Sequence, residues 1–157
     1  MGYLLLAKVE YNNKGIKKSG AMEKIIVYVD WCDRNFGASF GDNVPGGVAF
    51  TASSFENLKK EARDTLLFHV EGMVKDGDNV PQWLRNGEFE FEYKFVSMAA
   101  LLRSVEDYAS LSAISRVTGI NACQLSHYAN GIKKPRQAQR QRIIDGIHEI
   151  GRILSAV

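Results

Sequence analysis

Apolar and polar residues alternate in several early segments of the chain, a spacing typical of strands with one buried face. The segment EKIIVYVDW (23–31) is rich in β-branched and aromatic residues. Its apolar face consists of Ile25, Val27, Val29 and Trp31. Residues 36–40 (FGASF) alternate again, and a third short apolar run covers residues 48–52. Turn residues separate these segments, so the pattern predicts three strands in a meander.

From residue 53 the spacing of the apolar residues changes from the two-residue repeat of a strand to the repeat of a helix. Residues 53–56 (SSFE) form a capping-box pattern, which predicts that a helix begins there. The apolar positions that follow at helical spacing are Phe55, Leu58, Ala62, Leu66 and Val70. We expect this helix to end at Gly72. After a loop, the strictly alternating segment EFEFEYKF (88–95) predicts a strand, which completes a β-β-β-α-β domain over residues 22–96.

Helical spacing continues through residues 97–157, where four helices are predicted. Their apolar positions are Met98, Leu101, Leu102, Val105 and Tyr108; Leu111, Ile114 and Val117; Leu125 and Tyr128; and Ile143, Ile147, Ile150 and Leu154. The predicted fold class is therefore α+β, with a small β-β-β-α-β domain followed by an all-α domain. Residues 1–21 contain the polar segment YNNKGIKKSG and precede a second methionine, Met22. We interpret them as a flexible arm or a misassigned start.

Composition favours an ordinary soluble protein, because 45% of the 157 residues are hydrophobic and 24% are charged. Cys32 and Cys123 lie far apart and form no CxxC motif, so neither a disulfide framework nor a zinc site is indicated. The apolar run at residues 4–7 is too short for a signal peptide. We expect a cytoplasmic protein with no cofactor and no metal.

Charge is distributed unevenly along the chain. Residues 22–96 carry eight Lys or Arg against thirteen Asp or Glu, a balance of −5, whereas residues 97–157 carry eight against four, a balance of +4. No acid lies between Asp107 and Asp145, although six Lys or Arg do. A field of one sign suits binding to a polyanion such as nucleic acid.

The segment LSAISRVTGINACQLSHYANGIKKP (111–135) has the spacing of a helix-turn-helix. Gly119 is expected to adopt the left-handed conformation that ends one helix, Ile120 to fill the core, and Asn121 to cap a second helix over residues 122–129. Short or planar polar side chains on the second helix reach base edges in a major groove, and neighbouring cations contact phosphates. The predicted DNA-binding residues are Asn121, Gln124, Ser126, His127, Asn130, Lys133, Lys134 and Arg136.

This segment resembles the helix-turn-helix of the phage repressor and Cro family. The matching positions are Ile114, Ser115, Gly119, Ile120, Ser126, Gly131 and Pro135. The alternative is that Gly119 and Gly131 merely end helices in an ordinary bundle.

Residues 35–72, with a Gly in the second strand, a PGG before the third and Glu61-Ala62 in the helix, resemble the HicB antitoxin family. The resemblance implies a ribonuclease H-like domain without its catalytic acids. It also implies a partner, a small HicA-like ribonuclease that residues 22–96 would inhibit, and repression through operator DNA. We expect a homo-dimer or a higher homo-oligomer and no membrane association.

Several other polar residues have two possible interpretations. Asp30, Asp33 and Asp42 suggest a two-metal nuclease, but Asp is also favoured in turns, and we expect no catalytic residues and no enzyme activity. We interpret His69 as a core or rim residue, and the row Glu88, Glu90 and Glu92 as a solvated strand face or a surface for a basic toxin.

The sequence is therefore consistent with two functions. The first is an antitoxin of a HicA/HicB-type module that represses its own operon. The second is a stand-alone repressor whose first domain senses a ligand or drives oligomerisation.

Overall fold

The computed structural model describes residues 22–157 and contains both α-helices and β-strands. In chain order, its elements are β1 (Glu23–Cys32), β2 (Asn35–Phe40), β3 (Ala49–Ala52), α1 (Phe55–Asp76), α2 (Gln82–Arg85), β4 (Phe89–Phe95), α3 (Met98–Val105), α4 (Leu111–Thr118), α5 (Ala122–Ala129) and α6 (Gln137–Ser155). The expected mixture of helix and strand is confirmed. The short helix α2 was not predicted, because a single turn is too short to have a visible period. The expectation for residues 1–21 lies outside the described residues.

The four strands form one sheet in the order β3-β2-β1-β4. β1 pairs with β2, and β2 with β3, in antiparallel register, as a meander requires. β4 instead lies parallel to β1, with Ile25 opposite Phe91 and Val29 opposite Phe95. The chain between β3 and β4 must therefore cross the sheet, and α1 makes most of this crossing.

α1 packs its apolar stripe against one face of the sheet. The side chains at the centre of this contact are each 0% exposed: Ile25, Val27 and Val29 of β1, and Leu58, Ala62 and Leu66 of α1. The row of aromatic residues on β4 borders this core, and the Phe55 ring lies 5.3 Å from the Tyr93 ring and 5.4 Å from the Phe95 ring. The inward faces predicted for β1, α1 and β4 are therefore the faces that pack together.

The bounds of α1 differ from the prediction at both ends. Ser54 is the N-cap, and its hydroxyl accepts a hydrogen bond from the Asn57 amide at 3.1 Å. Glu56 does not complete a capping box, because it lies only two positions after the N-cap Ser54 and a capping box needs Glu or Gln three positions after it. Glu56 instead pairs with Lys59 at 2.6 Å. The helix continues past Gly72 to Asp76, where Gly77 ends it with a φ of 80°. A glycine within a helix costs only about 1 kcal/mol, so Gly72 does not stop one whose apolar stripe continues to Met73.

The helices after β4 form a second core. Its fully or almost fully buried members include Leu102, Ile114, Ile120, Leu125, Tyr128 and Ile143. Three predicted core positions are wrong, since Tyr108 is 69% exposed, Leu154 is 60% exposed and Val117 is 39% exposed. α3 ends at Val105, so Tyr108 lies beyond the helical repeat and its hydroxyl donates instead to Glu56 at 3.3 Å.

α3 joins the two cores. Its residue Ala100 is 0% exposed and belongs to the core of the sheet, whereas Met98 and Leu102 belong to the core of the helices. The Ser97 hydroxyl accepts a hydrogen bond from the Ala100 amide at 3.1 Å and donates to Asp30 at 2.6 Å. The chain thus passes from the sheet into the helices through a helix that packs on both cores.

Candidate nucleic-acid interface

α4 and α5 are joined by a three-residue turn whose backbone follows from its sequence. Gly119 has a φ of 70°, and its amide donates to the Ser115 carbonyl at 2.8 Å, which ends α4. Asn121 begins α5, and its side chain accepts a hydrogen bond from the Cys123 amide at 2.8 Å. The predicted role of Gly119 in ending one helix and that of Asn121 in capping the next are confirmed.

The side chain between these two residues fixes the angle of the turn. Ile120 is 3% exposed and packs among Ile114 and Leu125, which are both 0% exposed. The Thr118 hydroxyl donates to the Ile114 carbonyl at 2.7 Å and accepts from the Ile120 amide at 3.2 Å. The Thr118 hydroxyl and the Ile120 amide therefore both have hydrogen-bond partners inside the core, so α5 is held rigidly on α4.

The predicted base-reading residues lie on the accessible side of α5. Gln124 is exposed, and Ser126 and His127 are half-buried. The Gln124 amide donates to the Tyr128 hydroxyl at 2.7 Å, one helical turn further along. This contact orients the side chain of Gln124, and because Tyr128 is 5% exposed it ties Gln124 to the core.

Asn130 and Ser126 are engaged within the protein. The Asn130 amide nitrogen donates to the Ser126 carbonyl at 2.9 Å and to the Ser126 hydroxyl at 3.3 Å. The Asn130 side-chain oxygen accepts from Arg103 at 2.5 Å. These bonds make Asn130 the residue that closes the end of α5.

The cations predicted to contact phosphate lie in the loop after α5 and at the start of α6. The amides of Ile132 and Lys133 donate to the His127 carbonyl at 2.9 Å and 3.3 Å, so the loop folds back onto the end of α5. Lys133, Lys134 and Arg136 are all exposed. The loop that carries Lys133 is thereby bonded to the end of α5 that carries His127, and Lys134 and Arg136 follow it along the chain.

The basic stretch is not neutralised by neighbouring acids. Within residues 22–157, no salt bridge involves any Lys or Arg between positions 104 and 151. The cations of that stretch are Arg116, Lys133, Lys134, Arg136, Arg140 and Arg142. Arg140 is half-buried and its guanidinium donates to the Phe95 carbonyl at 3.4 Å, whereas the other five are exposed. Exposed cations without an acidic partner lose little when they exchange water for phosphate oxygens.

Arg103 is a residue of this region that the sequence analysis missed. Its guanidinium donates to the Ala129 carbonyl at 3.2 Å and to the Asn130 side chain, pairs with Glu106 at 2.9 Å, and lies 5.3 Å from the centre of the Trp31 ring. It therefore connects the sheet to the end of α5. The sequence could indicate only the pairing with Glu106, which lies three positions after Arg103. Ala129 and Asn130 are 26 and 27 positions away, so no local pattern relates them to Arg103.

The aspartates that suggested a metal site do not form one. Asp30 accepts hydrogen bonds from the Trp31 amide at 2.8 Å and from Ser97, and Asp33 occupies a turn with a φ of 54°. In the part of the chain that the structure describes, no three His, Cys, Asp or Glu side chains are grouped so that they could hold a metal ion. His69 is a half-buried rim residue whose ring nitrogen lies 2.6 Å from the Pro45 carbonyl oxygen.

Comparison with known proteins does not add to this description: no family matches the chain, and no curated protein or solved structure is similar enough to match it. Among residues 22–157, none of the helices has both the length and the apolar character needed to cross a membrane.

Proposed function

We propose that this protein binds operator DNA through α4 and α5 and is the antitoxin of a HicA/HicB-type module. The observation that carries the DNA-binding part is the rigid α4–α5 pair beside a cationic stretch without acidic partners. α5 would enter the major groove, with Gln124 and His127 towards base edges. Lys133, Lys134 and Arg136 would contact phosphates and set the register of the protein on the duplex.

The antitoxin part rests on the resemblance to HicB and on the opposite charge of residues 22–96. A segment with a charge of −5 attracts a cationic RNA-cleaving protein and repels nucleic acid, so it suits a role separate from DNA binding. We propose that it acts by covering the toxin and has no enzymatic activity. Asp30, the most constrained of the three candidate aspartates, anchors Ser97 at the start of α3.

We propose that the functional unit is a homo-dimer or a higher homo-oligomer. α5 has only eight residues and covers a single stretch of groove. Two copies bound to half-sites about 34 Å apart would contact enough DNA for tight and specific binding.

Binding of the full-length protein to the DNA upstream of its own reading frame tests the first part. Fluorescence anisotropy should give an affinity about 10³-fold or more above that for scrambled DNA, and the affinity should fall as salt increases. Equal binding to both DNAs would overturn the proposal that this protein is an operator-specific repressor.

Growth rescue tests the second part. Co-expression of this chain should relieve the growth arrest caused by the toxic product of an adjacent reading frame. The triple variant Asp30→Asn, Asp33→Asn, Asp42→Asn should rescue equally, because Asn keeps the oxygen to which Ser97 donates. Loss of rescue in a folded triple variant would favour a catalytic role for these residues.

A stand-alone repressor with a ligand-sensing first domain is the second candidate. A cavity of about 390 Å³ lies where the sheet meets the helices, and its lining includes Asp30, Trp31, Ser97, Lys133 and Arg140. A ligand there would contact both units at once, which is a suitable position for controlling DNA binding. A repressor of this kind would bind operator DNA normally and would give no growth rescue.

A further inference from the structure

The solvent side of α1 carries a large apolar side chain. Phe68 is 79% exposed, and apart from the terminal Val157 it is the most exposed large hydrophobic residue of the described chain. The residues of α1 that pack on the sheet are Leu58, Ala62, Leu66, Val70 and Met73. At 3.6 residues per turn, Phe68 lies on the side of the helix away from this buried set, so folding of the single chain does not cover it.

Acidic side chains surround Phe68 on the same face. Two of them precede Phe68, Glu61 by seven positions and Asp64 by four, and Glu71 follows it by three. These spacings place all three on the same side of the helix as Phe68. All three are exposed, and none takes part in a salt bridge within residues 22–157. We call Glu61, Asp64, Phe68 and Glu71 the acidic stripe. Lys75 follows it at the end of the helix.

The other acidic row of the chain is already partly neutralised. Glu92 lies 3.4 Å from the Lys24 ammonium and 3.9 Å from that of Lys94, and Glu88 accepts a hydrogen bond from Asn86 at 3.5 Å. A cationic partner would have to displace two lysines from Glu92. Docking on the acidic stripe displaces no cation of residues 22–157.

The acidic stripe is also held rigidly. α1 has 22 residues and is buried along its opposite side, and His69, next to Phe68, is bound to the Pro45 carbonyl. Binding to a helix that is already ordered costs little conformational entropy. An exposed aromatic ring within a rim of charges is a common arrangement for a residue that dominates binding energy.

We propose that the acidic stripe of α1 is the docking surface for the toxin, a basic protein with an apolar socket that receives Phe68. The inference rests on the proposed antitoxin function and specifies which face performs it. The carboxylates steer a cationic surface towards α1, and burial of Phe68 sets the lifetime of the complex.

The test measures the binding of full-length protein to the purified product of the adjacent reading frame by surface plasmon resonance. Phe68→Ala should weaken binding by about 30-fold, mainly through faster dissociation. Tyr28→Ala is the control, because Tyr28 is an aromatic residue 42% exposed on the opposite face of the sheet, and it should change binding by less than about 3-fold.

Two triple variants test the carboxylates of the acidic stripe. Each removes three negative charges, one set from the stripe and the other from β4 and the residue before it. Glu61→Gln, Asp64→Asn, Glu71→Gln should slow association several-fold at low salt, and the difference should shrink as salt increases. Glu88→Gln, Glu90→Gln, Glu92→Gln should have a smaller effect. Matching thermal unfolding curves would establish that all variants are folded.

The outcomes separate the two proposals. If the wild-type protein binds the product and Phe68→Ala binds as tightly, the docking surface is wrong and the antitoxin function stands. A larger loss in Tyr28→Ala would place the toxin on the open face of the sheet. If the wild-type protein binds its operator but not the product, both the antitoxin function and the docking surface are overturned.

Discussion

Gly146 of α6 lies directly against the Thr118 side chain at the end of α4. A Cβ atom at position 146 would overlap the Thr118 Cγ2 methyl group. Thr118 cannot easily move away, because its hydroxyl is bound to both Ile114 and Ile120 in the turn. The absence of a side chain at Gly146 therefore allows α6 to support the turn that positions α5.

Gly146→Ala should consequently destabilise the protein. Overpacking costs about 1–3 kcal/mol and outweighs the gain of about 1 kcal/mol in helix propensity, so we expect a net loss of about 1 kcal/mol. Gly151→Ala is the matched control on the same helix, since a Cβ at that position meets nothing within 4 Å. It should raise the free energy of unfolding by about 0.5–1 kcal/mol. Urea denaturation measures both, and a stabilising Gly146→Ala would contradict the close packing.

Two groups of residues should affect DNA binding in different ways. Gln124→Ala with His127→Ala should reduce discrimination between operator and scrambled DNA, by about 1–3 kcal/mol for each side chain that no longer reaches a base edge. Lys133→Ala with Arg136→Ala should weaken binding to both DNAs alike and flatten the salt dependence. Anisotropy titrations at several salt concentrations distinguish these effects. If the first pair leaves discrimination intact, α5 is not the helix that reads the sequence.

Arg103→Met should destabilise the end of α5 and weaken DNA binding. Met keeps the apolar part of the side chain but cannot form the hydrogen bonds to Ala129 and Asn130, which should lower the free energy of unfolding by about 2 kcal/mol. Arg152→Met is the control, because Arg152 is 76% exposed and, among the residues from 22 onwards, forms its salt bridge with Glu149 on its own helix. Hydrogen exchange should accelerate at the end of α5 in Arg103→Met alone. Unchanged exchange there would mean that Arg103 does not hold the helix.

Stability should decline at alkaline pH partly through Tyr93. Burial beside Phe55 raises the pKa of the Tyr93 phenol above its usual value of 10.0. A raised pKa in the folded state stabilises the protein fully below pH 10, and this contribution is lost as pH rises through the folded-state pKa. Tyr93→Phe should therefore lose less stability above pH 10 than the wild-type protein. Identical declines in urea denaturation at pH 9 and pH 11 would refute this role.

Local patterns in the sequence were sufficient for the four strands, for the helices longer than one turn and for the turn between α4 and α5, but not for α2 or for the bounds of α1. Alternation over residues 23–31 and 88–95 indicated strands because side chains of a strand point to opposite faces. The turn needs a residue with a positive φ, a buried side chain and a helix cap. Gly119, Ile120 and Asn121 meet these three requirements in that order. These properties depend on neighbouring positions only, so the sequence by itself determined them.

Contacts between distant positions were decided by the tertiary structure. The parallel pairing of β4 with β1, the close approach of Gly146 to Thr118 and the bridge from Arg103 to Asn130 each join residues that no local period relates. The same applies to the hydrogen bond between Asn130 and Ser126, although these are close in sequence, and to the one between Asp30 and Ser97. A polar side chain shows its chemistry in the sequence, but packing decides whether its partner is another residue or a ligand.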